Sequence, residues 1–199
     1  MSAPAPSPMR PRLAAADYSV QVVRTLDDMA RVHAVRTLVY MGDQACPYDE
    51  EFDGNDFCGA THLLLSWRGE PAGVVRLRWF GEFAKLERLA VRKEHRGGPG
   101  LLLLCNAAFD LARRKGYRRL IGHAQVRGEA FWRRYFNGRP RPGRPRFEFS
   151  QYRYVEMEFD LAPHPQAVGL ASPAMVLLRP EGAWDEPGVL ETAAQDLAA

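Results

Sequence analysis

One carboxylate, Glu87, stands inside an otherwise apolar run, Leu86–Val91 (LERLAV). Such a group is either neutralised by a neighbouring arginine (Arg76, Arg78 or Arg88), or it faces a cleft and takes up a proton, a task that burial suits by raising a carboxylate pKa. Further on, Gly122-His123-Ala124-Gln125 puts an imidazole and an amide near the end of a second apolar run. His123 is either a base that works near neutral pH or a polar strand-end residue. Between the two runs lies Arg96-Gly97-Gly98-Pro99-Gly100-Leu101. Glycines let a backbone approach a bound group closely, and the open amides of a helix start attract anions. Arg92, Lys93 and Arg96 add positive charge beside them. These residue types can bind phosphate at the turn and move a proton on either side of it. The plain alternative is an ordinary strand–helix–strand unit with a flexible turn.

The elements that must position these groups are legible from periodicity. Leu86–Val91 reads as a central strand, apolar throughout except at Glu87 and Arg88. Pro99 suits the first helical position, and a helix is expected from Gly100 to Lys115, with Leu101, Leu104, Cys105, Ala108, Leu111 and Ala112 on its apolar face. Arg113, Arg114 and Lys115 complement the dipole of its last turn, and Gly116 can take a left-handed stop before a strand from Tyr117. Upstream, Tyr18–Arg24 alternates as a strand. Thr25 then caps a helix running to about Val39, with Leu26, Met29, Val32 and Val39 inward and His33 an ordinary helix residue. Thr61–Trp67 and Ala72–Phe80 form a hairpin about Arg68-Gly69-Glu70-Pro71. Glu129–Phe136 is a short helix, and Phe147–Leu161 supplies one or two closing strands. A hairpin-rich front followed by one strand–helix–strand crossover is an α/β fold with a mixed, mostly antiparallel sheet flanked by helices.

The 199 residues suffice for one domain, expected over residues 18–161. Residues 1–17, rich in Pro, Ala and Ser, read as a disordered arm. Residues 162–199 read as an extension whose Met175, Val176, Leu177, Leu178 and Trp184 call for cover by the domain or by a second subunit. No apolar run is long enough to span a bilayer, and the N-terminus lacks the order of a secretory signal. Cys46, Cys58 and Cys105 have no metal-like spacing, so no metal is expected, and a reducing cytoplasm is the simplest setting. The net charge is +3 with a pI near 8.9, so arginine patches matter more than the total.

The pattern ERLAV, then HRGG, then FDLARRKGYRRL resembles the cofactor-binding core of the GNAT superfamily of N-acyltransferases, and the likeness extends more weakly from about Tyr18 to Asp160. It implies an acyl-coenzyme A donor, acetyl-CoA or another acyl-CoA, with no metal. The donor is expected at Leu89, Ala90 and Val91, whose amides polarise the thioester carbonyl, and at Arg96, Gly97, Gly98, Gly100 and Leu101. One departure is Pro99, which removes an amide from the loop. The resemblance also implies Glu87 or His123 as base for a primary amine acceptor. The family's leaving-group acid is the tyrosine of a Phe-Tyr pair. Here the pair is Phe131-Trp132, whose indole is no acid, and Tyr135 at i+3 is the substitute.

Two further stretches bear on partners. Asp43–Asp56 is acidic, and is either a solvated loop or a negative rim that draws in a cationic amine. Its phrase CPYDEEFDGND resembles a subset of GNAT proteins and, loosely, acyl-homoserine lactone synthases, which implies an alternative: an N-acyl amino acid or homoserine lactone type synthase fed by acyl carrier protein. Asn137–Arg146 (NGRPRPGRPR) resembles the AT-hook of minor-groove DNA binders, without matching it in full. A rigid basic loop facing coenzyme phosphates or a carrier protein is the preferred reading, and a non-catalytic acyl-CoA-binding or DNA-binding module is the rival class.

Overall fold

A computed structural model describes residues 13–149 and 151–192. Eight strands form one sheet: β1 (Tyr18–Val22), β2 (Thr61–Trp67), β3 (Glu70–Trp79), β4 (Ala84–Val91), β5 (Arg119–Gln125), β6 (Arg139–Pro140), β7 (Phe147–Phe149) and β8 (Tyr152–Asp160). The order is β1-β2-β3-β4-β5-β8-β6, with β7 also on the outer edge of β8. All neighbours are antiparallel except β4 and β5. The helices are α1 (Leu26–Arg36), α2 (Tyr48–Glu51), α3 (Gly100–Arg114), α4 (Glu129–Phe136) and α5 (Ala174–Leu178), and a π-helical segment, Thr37–Asp43, continues α1. This is the expected mixed α/β architecture.

The two helices that matter most cover opposite faces of the sheet. Leu104, Cys105, Ala108, Leu111 and Ala112 of α3 bury against Leu63, Leu65, Val75, Leu77 and Leu86. Met29, Val32 and Val35 of α1 bury against Leu64, Val74 and Ala90 on the other face. A methyl added at Gly100 would lie 2.9 Å from Leu65, so α3 comes this close to the sheet because its first residue has no side chain. Thr25 caps α1 in a full capping box with Asp28. Leu26, expected inward, is exposed: as the first residue of α1 it points off the sheet, and the inward set begins at Met29. Pro99 sits one place earlier than expected, as the residue that precedes α3, already in helical conformation. Gly116 takes the left-handed stop, with φ +87°. The β2–β3 turn has positive φ at both Arg68 (49°) and Gly69 (87°), the geometry whose twist matches a tight hairpin.

Of the expected N-terminal arm, residues 1–12 lie outside the described residues. Residues 13–17 lie on the domain, where Asp17 pairs with Arg68 at 3.1 Å. The extension after β8 lies along α3 and β1. Arg114 grips Asp185 through two hydrogen bonds (2.6 and 2.8 Å), Lys115 binds Glu181 at 2.7 Å, and Trp184 packs on the α3-side core. Among the described residues, no helix is long and apolar enough to cross a membrane, and no His, Cys, Asp and Glu cluster is built to hold a metal.

Candidate active site

The site begins where the two parallel strands part. β4 and β5 pair only at Ala84–Leu120, Lys85–Ile121 and Leu86–Gly122. Beyond that point, Glu87–Val91 and His123–Gln125 diverge, leaving a wedge that opens toward the N-terminus of α3. On the other side of β4, Val74 pairs with Ala90 and Arg76 with Glu87, so three steps of β4 lie opposite two of β3. This is a β-bulge. Its signature is Arg88, at φ +51° inside a central strand. A left-handed conformation costs a side-chain-bearing residue about 1–2 kcal/mol and persists only where the surroundings enforce it. The bulge keeps Leu89 against the α3-side core and Ala90 against the α1-side core, while Glu87 and Arg88 both engage the α1 side.

Glu87 does not stand alone. Arg76 donates to its Oε1 (2.9 Å), and Lys85 reaches its Oε2 at 2.9 Å, with Arg78 at 3.8 Å. Of the three arginines expected as partners, Arg76 and Arg78 serve, and Arg88 turns to the acidic loop instead. Arg76, with no solvent exposure, also binds Asp53 (2.6 and 2.9 Å) and Asp56 (2.7 Å). Arg36, equally buried, donates to Glu51 and to Asp56 (2.6 Å). Burial works against ionising Asp53 and Asp56, but hydrogen bonds from these guanidiniums prevail and hold Asp53 well below, and Asp56 below, the ordinary carboxylate range. For Glu51, burial prevails over Arg36 and Arg88 and raises the pKa. The acidic run is thus neither a wholly solvated loop nor a continuous negative rim: Glu51 and Asp56 are buried and paired, Asp53 is bound by Arg76 and Arg88, Glu50 is half-buried, and Asp43 and Asp49 remain exposed. His62 lies beneath the same cluster, its Nε2 3.4 Å from the Asp56 carbonyl, and burial pushes its pKa down to about 4. His33 approaches Asp56 at 3.2 Å.

The loop from Arg92 to Gly100 is held from below. Tyr18 and His95 share a hydrogen bond (3.0 Å), and His95 packs against Trp67, where burial lowers its pKa. Arg96 donates to the Val91 carbonyl (2.8 Å) and to Asp43 (2.5 Å), so its guanidinium ties the loop to β4 and to the π-helical segment. Gly97 turns left-handed at φ +82° with open space around it, whereas Gly98 lies against Leu13. In α3 the Leu103 amide bonds the Pro99 carbonyl (3.1 Å), which leaves the amides before it as the open donors of the helix start. Open amides, a positive dipole end and a left-handed glycine fit a pyrophosphate.

Across the wedge, Gln125 donates to Gln44 (3.2 Å), the residue after the π-helical segment, and to the Tyr154 hydroxyl (3.3 Å) of β8. Tyr40 donates to the Leu89 carbonyl (2.8 Å), and burial, the largest influence, pushes its pKa up. His123 lies 3.3 Å from Glu156 and edge-on to Phe147. Trp132, at the place of the expected acid, is buried among Phe109, Phe136 and Phe159. Tyr135 is half exposed and contacts Phe131 and Arg134. The register thus sets Glu87–Val91 and His123–Gln125 side by side past the last β4–β5 pair, and Tyr135 stands half-exposed on α4. Tyr40, Arg36, Arg76, Arg88 and Tyr154 join the site without having been singled out as its functional members. The signal for Arg76 was an arginine inside the apolar VVRLRW run.

The Gly-Arg-Pro loop is charge-compensated. Arg139 binds Glu158 and Asp160, Arg141 binds Glu156 at 2.6 Å, Arg144 lies 3.7 Å from Glu156, and Arg146 binds Glu129 at 3.0 Å.

Comparison with known proteins agrees with this geometry. The family model described as "Acetyltransferase (GNAT) family" matches residues 29–137, more than half of the chain. A Bacillus subtilis (strain 168) protein described as "Putative acetyltransferase BSU40680" is 26% identical over 117 residues, 57% of this chain and 79% of that protein. Two of the solved structures that share the fold serve as examples. One is an acyl-CoA N-acyltransferase from Pseudomonas aeruginosa, with TM-score 0.62 and 23% identity over 72% of this chain and 98% of that one. The other is BjaI, a CoA-dependent acyl-homoserine lactone synthase, with TM-score 0.62 and 12% identity over 73% and 84%.

Proposed function

Since this chain belongs to the GNAT family of acetyltransferases, we propose that it moves an acetyl group from acetyl-CoA to a primary amine in the wedge between β4 and β5. The observation that carries this reading is the conjunction of a splayed parallel pair, a bulge at its opening and an open-donor helix start below it. Gly97, Gly98, Gly100 and Leu101 hold the pyrophosphate in this reading, with Arg96 fixing the loop. When bound, the donor supplies an acyl group whose thiolate leaves readily.

The amides of Leu89 to Val91 polarise the thioester carbonyl as charge develops on its oxygen. The amine nitrogen attacks the carbonyl carbon, the C–N bond forms and the C–S bond breaks. The amine proton passes to Glu87, directly or through water, with His123 the other candidate base. The departing sulfur takes a proton from Tyr135 or from solvent. Holding both reactants in one wedge contributes most of the rate. The shared fold with BjaI, a CoA-dependent acyl-homoserine lactone synthase, goes with a second reading, an N-acyl amino acid or homoserine lactone type synthase; acyl carrier protein as its donor rests on the sequence resemblance alone. The paired arginines of the Gly-Arg-Pro loop support the view that the loop is not a DNA reader.

Calorimetry with acetyl-CoA and longer acyl-CoA thioesters tests the proposal. Binding to acetyl-CoA is expected, weakened in Arg96→Glu more at low salt than at high salt. Affinity that climbs with acyl length favours the synthase reading. Absence of heat and of any thermal shift with every thioester refutes the donor assignment.

A further inference from the structure

We propose that Arg88 is a positioning residue that locks the backbone on the donor side of the wedge to the acidic loop at residues 50–53. Two observations meet in this one residue. Its backbone is the left-handed step that makes the β4 bulge, at φ +51°. Its side chain leaves β4 and ends on the acidic loop: Nη2 donates to the Glu50 carbonyl (2.6 Å) and to Asp53 (3.0 Å), and Nε lies 3.3 Å from both the Glu51 carbonyl and its carboxylate. Glycine is the residue that adopts this conformation without strain, yet the position carries an arginine. The guanidinium therefore supplies something glycine cannot, which is a hold on main-chain carbonyls two elements away.

That hold is braced from both sides. Asp53 is shared between Arg88 and Arg76, and Arg76 grips Glu87, the residue just before the bulge. On the loop side, Arg36 fixes Glu51 through its carboxylate and its carbonyl (2.8 Å). The bulge is thus pinned at Glu87 by Arg76 and at Arg88 by the loop, while Tyr40 holds the carbonyl of the next residue, Leu89. The direction of the amides from Leu89 onward follows from these anchors. The acidic loop and the backbone that polarises the donor carbonyl move as one unit. This inference rests on the acyltransfer reading above for its catalytic consequence, and on geometry alone for the lock itself.

Three variants separate backbone from side chain. Arg88→Gly keeps the left-handed step and removes the tether, Arg88→Lys keeps a cation without the fork, and Arg88→Ala removes both. Amide hydrogen exchange on the free protein is expected to rise at least tenfold in Arg88→Gly, both at 50–53 and at 88–91. Thiol release from acetyl-CoA with a panel of primary amines is expected to fall at least tenfold in kcat, with the donor KM within about threefold of wild type and partial recovery in Arg88→Lys. Exchange that loosens in the loop but not in 88–91 overturns the lock, as does a kcat equal to wild type in Arg88→Gly. A wild-type chain that binds no thioester refutes the donor assignment instead, and the exchange measurement still decides whether the lock exists.

Discussion

At the residue scale, the site is organised by arginines that never reach solvent. Burying a guanidinium is costly, and the cost is met here because Arg76 faces three carboxylates at once and Arg36 two. Removing one partner from such a cluster is worse than never having built it. Arg76→Leu leaves Asp53, Asp56 and Glu87 without their shared cation and is expected to cost about 3–5 kcal/mol, read as a drop in the urea midpoint. An unchanged midpoint would mean the carboxylates are satisfied elsewhere. Glu87→Gln is a milder change, since an amide still accepts from Arg76. Turnover should fall while thioester affinity stays near wild type, and a pH–rate profile identical to wild type would remove Glu87 from the role of base. Glu87 was legible as an anomaly because a charge in an apolar strand is conspicuous. Arg36, Asp56 and Tyr40 were not, since each reads as an ordinary helix-end, loop or helix residue. Their partners lie far away in sequence, and no local pattern encodes them.

At the element scale, the periodic segments were legible almost in full. The strands from β1 to β5, α1, α3 and α4 fall where alternation or helical spacing puts them, and Thr25 and Gly116 end or begin helices for stated reasons. What escaped was non-periodic: the π-helical continuation of α1, the bulge in β4, and the side chain of Leu26 at the first turn. A bulge is invisible to alternation because it adds one residue to a run whose members are nearly all apolar. Gly138 shows how tightly the short elements are fitted. A methyl there would lie 2.3 Å from the ring of buried Phe159. Gly138→Ala is expected to destabilise by about 1–3 kcal/mol, the usual range for overpacking, with a lower Tm. Full stability would show that α4 can slide away from β8.

For the whole molecule, the buried charge cluster sets the acid limit. His62 is buried in neutral form with its pKa pushed down to about 4, whereas the unfolded chain takes up that proton near 6.5. Its contribution is therefore complete above about pH 6.5 and is lost as pH falls from there toward 4, by an amount of the order of 3 kcal/mol. Below that window Asp53, held low by Arg76, and Asp56, held low by Arg36 and Arg76, add a second loss as they protonate in the unfolded state first. Equilibrium unfolding from pH 7.5 to 4 should show this decline, and it should flatten in His62→Gln; the same slope in both proteins would assign it to other groups. The C-terminal extension belongs to the same scale. Composition marked Met175, Val176, Leu177, Leu178 and Trp184 as needing cover; Trp184 receives it beside Arg114, whereas Met175, Leu177 and Leu178 stay exposed, so the expectation holds for only part of the segment.

The brief pairing of β4 with β5 bears on the order in which the chain assembles. β2, β3 and β4 are antiparallel neighbours joined by short turns, so their contacts close small loops at little entropic cost. β5 instead meets β4 only after α3 has crossed over, and β8 meets β5 only after α4, β6 and β7 have been laid down. Three residue pairs are a weak seam for joining two such bodies. The β2–β4 meander should therefore gain protection first, with β5 and β8 following as a later, separately nucleated wing. The wedge that the reaction needs would then be the scar of a two-step folding route, left where the second wing docks on the first and stops short.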